Sequence, residues 1–424
     1  MMQNTEEKVQ RFVLVAVSTG RDETDAERSL DELEDLLKTA GGEACGRVIQ
    51  NLERIDNRTY VGSGKVEEIR MIIKDTEADG IICDDELTPA QLANLGELLD
   101  TKIIDRTLLI LDIFTQRAAT REGQMQVELA QLEYRLTRLR GLPGELSRQG
   151  AAVGTHTRGA GETKLEMDRR YIRSRIAQLK RDLKEVAENR DRERASRRKS
   201  RIPVVALVGY TNAGKSTVLN RLTSAGVLEE NELFATLDTT VRRCTMPDGR
   251  LILLVDTVGF IHKLPAHLVK AFRSTLEEVN EADLLVHVVD ASSPMAELQM
   301  KVTHDELSNL GAAFKPIITV LNKQDLVQEE EGLVIPYKAE AVVKISALEE
   351  EGQNALMAAI GAYLDKLDSK MELLIPYDKA GIADRLHREA VILQEDYTDE
   401  GIAMTIRADE ELKRIVKSYE KQAE

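Results

Sequence analysis

Residues 202–217 read IPVVALVGYTNAGKST, an apolar run followed by a loop that closes on Lys-Ser-Thr and opens a helix-forming stretch. A chain that sets G-x-x-x-x-G-K-[ST] between a buried strand and a helix is committed to an α/β fold, a mostly parallel sheet with helices on both faces. The same residues define the chemistry. Gly209 and Gly214 permit backbone conformations closed to other residues, so the amides across Tyr210, Thr211, Asn212 and Ala213 can converge on phosphate oxygens. Lys215 is placed to neutralise the β and γ oxygens, and Ser216 to ligate Mg2+.

Three further strand ends complete a nucleotide pocket. LILLVDTVG (251–259) ends in Asp256, Thr257, Val258 and Gly259; the Asp256 carboxylate can hold magnesium through water, and the Gly259 amide can meet the γ-phosphate. TVLNKQD (319–325) ends in Asn322, Lys323, Gln324 and Asp325. The Asp325 carboxylate can accept from guanine N1 and from the 2-amino group, whereas adenine would leave it unpaired, so the base is read as guanine. Asn322 and the stem of Lys323 brace the loop and the base. KISAL (344–348) ends in Ser346, Ala347 and Leu348, where a backbone amide can donate to guanine O6. All four motifs fall at strand ends, on one edge of a parallel sheet.

Between the first two motifs, ELFATLDTT (232–240) supplies a threonine to cap magnesium and sense the γ-phosphate; by spacing alone Thr236, Thr239 and Thr240 all fit. Phe260 follows DTVG where many GTPases carry a glutamine that orients the attacking water. Phenylalanine has no such group, so slow intrinsic turnover completed by a partner is expected. Asn212 is a candidate oxygen ligand for K+ near the β–γ bridge; a turn-stabilising side chain is the plainer reading.

The remaining chain organises around this pocket. At 424 residues it exceeds one ordinary domain. The expected division is an N-terminal α/β domain (1–115), a helical linker (116–200), a nucleotide domain (201–368) and a small α+β module (369–424). FVLVAV (12–17) and GIIC (80–83) read as buried strands, and 29–40 and 64–79 as amphipathic helices. VGSGK (61–65) resembles a phosphate loop but reads as a glycine turn entering a helix. In the linker, Leu129, Leu132, Leu136 and Leu139, then Leu165, Ile172, Ile176, Leu179, Leu183 and Val186, form two apolar stripes that bury most simply against each other as an antiparallel hairpin. The segment 141–161 between them holds six glycines and reads as a tip loop. Toward the C-terminus, KLDSKMELLIPYDKAG (366–381) reads as a boundary, followed by two strands and a terminal helix.

Charge is distributed unevenly. The net charge is −16, yet 116–201 carries 22 Lys/Arg against 12 Asp/Glu, or +10, so the remainder carries −26. A basic arm on an acidic chain suggests a polyanion such as RNA, although basic helices also serve as solvated surface. Three cysteines without a CxxC pair argue against structural zinc or a disulfide framework. The apolar runs are too short for a membrane span, and the N-terminus lacks the pattern of a signal peptide, so a cytoplasmic protein is expected.

Taken together, GYTNAGKST, FATLD (234–238), DTVGFIHKLPAHLVKAFRSTLEEV (256–279), 105–134 and RGAGETKLEMDRR (158–170) resemble the HflX family of ribosome-associated translational GTPases over nearly the whole chain. The resemblance implies GTP hydrolysis stimulated on the large ribosomal subunit, contact with its RNA through the linker, and ribosome splitting or rescue. A monomer in the cytoplasm is expected, with peripheral membrane association allowed. The resemblance also implies that Thr236 joins Ser216 on Mg2+, that Phe234, Ala235, Leu237 and Asp238 lie around the γ-phosphate, and that Lys215, Thr236 and Gly259 form the catalytic set. Phe260 matches the family norm. Two stretches depart from it: the linker loop has fewer glycines and is longer, and the last guanine motif ends in Leu348 rather than lysine.

Overall fold

The computed structural model describes residues 9–20, 23–139, 158–199, 202–223, 233–237, 240–265, 268, 278–327, 333–367, 369–408 and 410–420. The chain forms two compact units. The first comprises Met1–Arg192, Leu228–Thr239 and Thr257–Glu277, and the second Glu193–Val227, Thr240–Asp256 and Glu278–Glu424.

In the first unit, strands β1 (Arg11–Ser18), β2 (Glu43–Asn51), β3 (Gly80–Cys83) and β4 (Lys102–Asp105) form a parallel sheet of order β2-β1-β3-β4. Helices α1 (Glu23–Thr39), α2 (Ser63–Thr76), α3 (Pro89–Leu99) and α4 (Arg106–Arg117) alternate with and follow these strands. β1 is central and buried along nearly its whole length, as its unbroken apolar run requires. The start of α3 is fixed by a capping box, Thr88 with Gln91, and by Pro89 in the first turn. VGSGK behaves as a turn: the Gly62 amide donates to Gln50 Oε1 at 2.8 Å, and α2 starts at the next residue.

Helices α5 (Arg121–Leu139) and α6 (Arg158–Lys199) form the antiparallel hairpin. Met125, Leu129 and Leu132 bury against Ile172, Ile176 and Leu179, with Leu136, Leu139, Leu183 and Val186 at the margin. Arg175 grips Glu128 through two bonds of 2.7 Å, and Arg190 reaches Glu122 at 2.9 Å. The expected tip loop is shorter than the glycine count suggests. Residues 158–161 already belong to α6, where the long helix that follows carries their two glycines; 140–157 lie outside the described residues. The arm is rooted by Asp105, a fully buried carboxylate that caps α4 through the Leu108 amide and accepts from Tyr134 and Arg138 of α5.

The second unit is built on β5 (Val204–Gly209), β6 (Thr240–Thr245), β7 (Leu251–Asp256), β8 (Leu284–Asp290), β9 (Ile317–Asn322) and β10 (Ala341–Lys344), in the order β10-β9-β8-β5-β7-β6. Every pairing is parallel except β6 with β7. Helices α7 (Lys215–Thr223), α8 (Ala296–Asn309) and α9 (Glu350–Leu367) belong to this body, and α7 and α9 pack Val218, Leu219, Leu356 and Ile360 into the core beside the sheet. The C-terminal module is an antiparallel sheet, β11 (Ser369–Ile375), β12 (Val391–Thr398) and β13 (Gly401–Ala408), in the order β11-β13-β12. Its helices α10 (Ala380–Glu389) and α11 (Glu410–Val416) share its apolar core. The stretch expected to be a boundary contributes β11, an amphipathic strand that buries Met371, Leu373 and Ile375. Segments 228–239 and 257–277, assigned by sequence to the nucleotide domain, fall with the first unit.

Candidate nucleotide site

In the second unit, the C-terminal ends of β5, β7, β9 and β10 lie on one edge of the sheet, and side chains at and just beyond them interlock. β5 ends at Gly209, whose φ is +148°. A Cβ there would stand 2.2 Å from the Val288 carbonyl oxygen, so the loop can start at this point only with glycine. Gly214, at φ +97°, faces the Asn322 amide with equal closeness: a Cβ would lie 2.3 Å from Nδ2. Between them Tyr210, Thr211 and Ala213 are buried, and Asn212 is exposed with φ +58°. The loop therefore curls around its own backbone amides at the entrance to α7, where helix dipole and N–H groups favour an anion.

Lys215 lies inside this curl, 7% exposed, its ammonium donating to the Gly209 and Tyr210 carbonyls at 3.2 and 2.7 Å. Burial lowers its pKa to about 8, with the Asp256 charge pulling the other way. A phosphate brought to this loop would supply the counter-charge that desolvation makes valuable. Ser216 Oγ donates to Asp256 Oδ2 at 2.8 Å, and Asp256 is fully buried at the end of β7. A hydroxyl and a carboxylate, both hard oxygen donors beside a phosphate loop, suit Mg2+, which takes few protein ligands and completes its shell with phosphate and water. Among the described residues, no group of three or more His, Cys, Asp or Glu is placed to hold a metal.

On the base side, Asn322 ties three motifs together. Its Nδ2 donates to the Ala213 carbonyl and its Oδ1 accepts from the Ala347 amide, both at 2.9 Å, with the side chain 2% exposed. Lys323 takes a left-handed conformation, φ +62°, and its ammonium pairs with Asp290 Oδ2 at 2.6 Å. Gln324 anchors the following 3-10 turn, Gln324–Leu326, by bonding the Leu321 carbonyl, which leaves Asp325 exposed on that turn. Ser346 and Ala347 are buried and Leu348 is 60% exposed.

The remaining candidates, Thr240 apart, belong to the first unit. Thr236 and Ala235 are half-buried, and Leu237 is buried. Phe234 adopts φ +55° and is buried edge-on against Phe114, ring centroids 4.8 Å apart. Asp238 and Thr239 lie outside the described residues, and Thr240 opens β6. Thr257, Val258, Gly259 and Phe260 are all buried. Sequence reasoning missed Asp290, although it ends β8 at the sheet edge where the other motifs end. It also missed the buried His287, whose Nδ1 lies 2.5 Å from the Tyr337 hydroxyl and which burial pushes down to about 3; no motif marks that pair.

A phosphate-loop motif between strand and helix, a half-buried Ser216 bonded to the buried Asp256, the Asn322–Asp325 turn and a parallel sheet that presents them at one edge define a P-loop GTPase. Family models agree along the chain: residues 27–115 match "GTP-binding GTPase N-terminal", 117–197 "GTP-binding GTPase Middle Region" and 204–323 "50S ribosome-binding GTPase". A GTPase HflX from Lacrimispora saccharolytica is 51% identical over 404 residues, 95% of this chain and 94% of the relative. Another, from Caldanaerobacter subterraneus subsp. tengcongensis, is 46% identical over 97% of this chain and 94% of its own length. Among solved structures, a GTP-binding protein from Sulfolobus solfataricus in complex with GDP is 24% identical, with a TM-score of 0.44, covering 85% of this chain and 99% of that one. The chain belongs to the GTPase HflX family and is a GTP hydrolase. Among the described residues, no helix is long and apolar enough to cross a membrane.

Proposed function

We propose that this GTPase is a GTP-gated factor of the large ribosomal subunit, in which nucleotide state controls association and hydrolysis permits release. The observation that carries the reading is the match of 204–323 to a 50S ribosome-binding GTPase model, alongside a basic two-helix arm. On the described part of that arm, Arg170, Arg181, Lys184 and Arg192 are exposed, suited to pairing with phosphates. We assign Lys215, Thr236 and Gly259 to the γ-phosphate, Ser216 and Thr236 to Mg2+, and Asp325 with Asn322 and Lys323 to the base. The exposed Asn212, held at positive φ, is assigned to K+. The cellular role we favour is ribosome splitting or rescue under stress.

Cosedimentation of GTP-loaded protein with purified large subunits at moderate salt tests the reading; absence from the subunit pellet would overturn it. Reversing the charge of Arg192, Arg194, Arg197 and Arg198 separates RNA from apolar docking. An RNA partner predicts weaker binding and a salt slope shallower by roughly 0.7–0.9 for each phosphate that is no longer neutralised.

A further inference from the structure

Partnered residues of a parallel sheet point to the same side, so the register of the first unit's sheet sorts its apolar residues by face. Val13, Val15 and Ile81 fall on one face and share a core with α2 and α3. Phe12, Ile82 and Ile104 fall on the other, beside α1 and α4. On that second face lies a cavity of about 680 Å³, within the roughly 300–1,000 Å³ of small-molecule sites. Its floor is apolar: Phe12, Leu37, Ile82, Ile104 and Leu109 line it, each no more than 3% exposed.

The wall of the cavity carries two opposite charges that do not pair. Lys102, at the start of β4, donates from Nζ to Gln10 Oε1 at 3.2 Å and sits 5.5 Å from the Phe12 ring centroid. Asp112, on α4, is half-buried and makes no hydrogen bond or ion pair with a described residue. Burial raises its carboxyl above the usual range, and the Lys102 charge acts against that shift, so the two groups sense each other without touching. Two glutamines add acceptors to the same wall. Gln131 Nε2 donates to Thr115 Oγ1 at 2.8 Å and Gln116 Nε2 to the Ala40 carbonyl at 3.5 Å, which leaves each Oε1 to accept. α1 ends at Thr39, and Ala40, Gly41 and Gly42 carry its C-terminal end to the cavity, where the helix dipole favours a cation.

We propose that this cavity binds a small zwitterion with an apolar body, an amino acid or short peptide with aliphatic side chains. The ligand ammonium pairs with Asp112, with Gln116 and Gln131 as further acceptors, and the ligand carboxylate pairs with Lys102. The aliphatic part covers the floor formed by Phe12, Ile82 and Ile104. A polyphosphate is disfavoured, because it would set several negative charges beside Asp112 with one lysine to offset them. None of these residues belongs to a nucleotide motif, so the site is independent of the ribosomal reading.

The test is isothermal titration of the full-length protein with L-leucine and with L-leucyl-L-leucine, whose ammonium-to-carboxylate spans differ. Saturable one-to-one binding of at least one is expected, and the preferred compound shows whether the site takes an amino acid or a peptide. The N-acetyl derivative of that compound lacks the ammonium and its C-terminal amide lacks the carboxylate. Each should bind about ten- to hundredfold more weakly, as loss of one charge-assisted hydrogen bond requires. Asp112→Asn should weaken the parent compound to a similar extent and leave the N-acetyl derivative unchanged; Lys102→Met should do the same with respect to the amide. GTP turnover of both variants should stay within about twofold of wild type, which reports that each is folded. The derivatives decide the question on wild-type protein if a variant misfolds. Absence of saturable binding of both compounds at millimolar concentration would overturn the proposal. So would an N-acetyl derivative that binds as tightly as its parent, or undiminished binding by folded Asp112→Asn.

Discussion

Replacing Asn322 by alanine removes a side chain that spans the phosphate loop, the end of β9 and the segment after β10. Its two hydrogen bonds, both 2.9 Å and both buried, end on backbone groups: the Ala213 carbonyl and the Ala347 amide. Each bond contributes about 1 kcal/mol net, and each group left buried without a partner costs about 1–3 kcal/mol. Partial relaxation of the two loops brings the total to about 2–4 kcal/mol, a factor of roughly 30 to 1,000 in GDP affinity. Asn322→Asp is the sharper control. It keeps an acceptor for Ala347 but sets a carboxylate oxygen against the Ala213 carbonyl, so it should bind no better than the alanine variant. Fluorescent GDP titration and thermal melting read both effects. If Asn322→Ala bound GDP within threefold of wild type and melted at the same temperature, the bridging role would be wrong.

Lys215 makes a pH prediction. Its folded pKa is about 8 against an ordinary 10.5, so below pH 8 the folded protein bears the full cost of the buried charge, roughly 3 kcal/mol. Between pH 8 and 10.5 the unfolded chain binds more protons, and this contribution makes stability rise with pH. Lys215→Met should therefore stabilise nucleotide-free protein by about 1–3 kcal/mol at pH 7, with the gain fading toward pH 10.5, while nucleotide affinity collapses. A destabilised variant at pH 7 in urea titrations would contradict this. Asp325→Asn removes a charged acceptor for two guanine donors and should weaken GDP binding by about 2–3 kcal/mol; wild-type affinity would remove Asp325 as base reader. Exchange of sodium for potassium should raise turnover in the native protein and not in Asn212→Ala, and equal stimulation of both would exclude Asn212 as a cation ligand.

What can be read from sequence follows the range of the interactions involved. The phosphate loop is a local object: strand, glycines, lysine and helix occupy consecutive residues, and the positive φ at Gly209 and Gly214 is a local demand. The parallel sheet is legible for the same reason, from unbroken apolar runs such as β1 and β5. β2 escapes such a reading, because at the edge of its sheet it mixes exposed and half-buried residues and carries no clean period. β11 passes for a boundary because its alternation sits between a charged helix end and a proline. The ion pair between Lys263 and Asp84 spans 179 residues, and nothing in the local pattern of either partner announces the other. Phe234 illustrates the same limit: its motif suggests a place at the γ-phosphate, while its packing against Phe114 depends on a helix far away in the chain.

Phe260 has no group that can orient water, and we propose that a partner completes the site. GTP turnover with and without purified large ribosomal subunits, in potassium buffer, addresses it most directly. Turnover should be slow alone and stimulated on the order of 10³-fold or more with subunits, the range a trans-acting element supplies. Equal rates in the two conditions, with GTP still bound, would contradict the ribosomal account and leave only the nucleotide pocket standing.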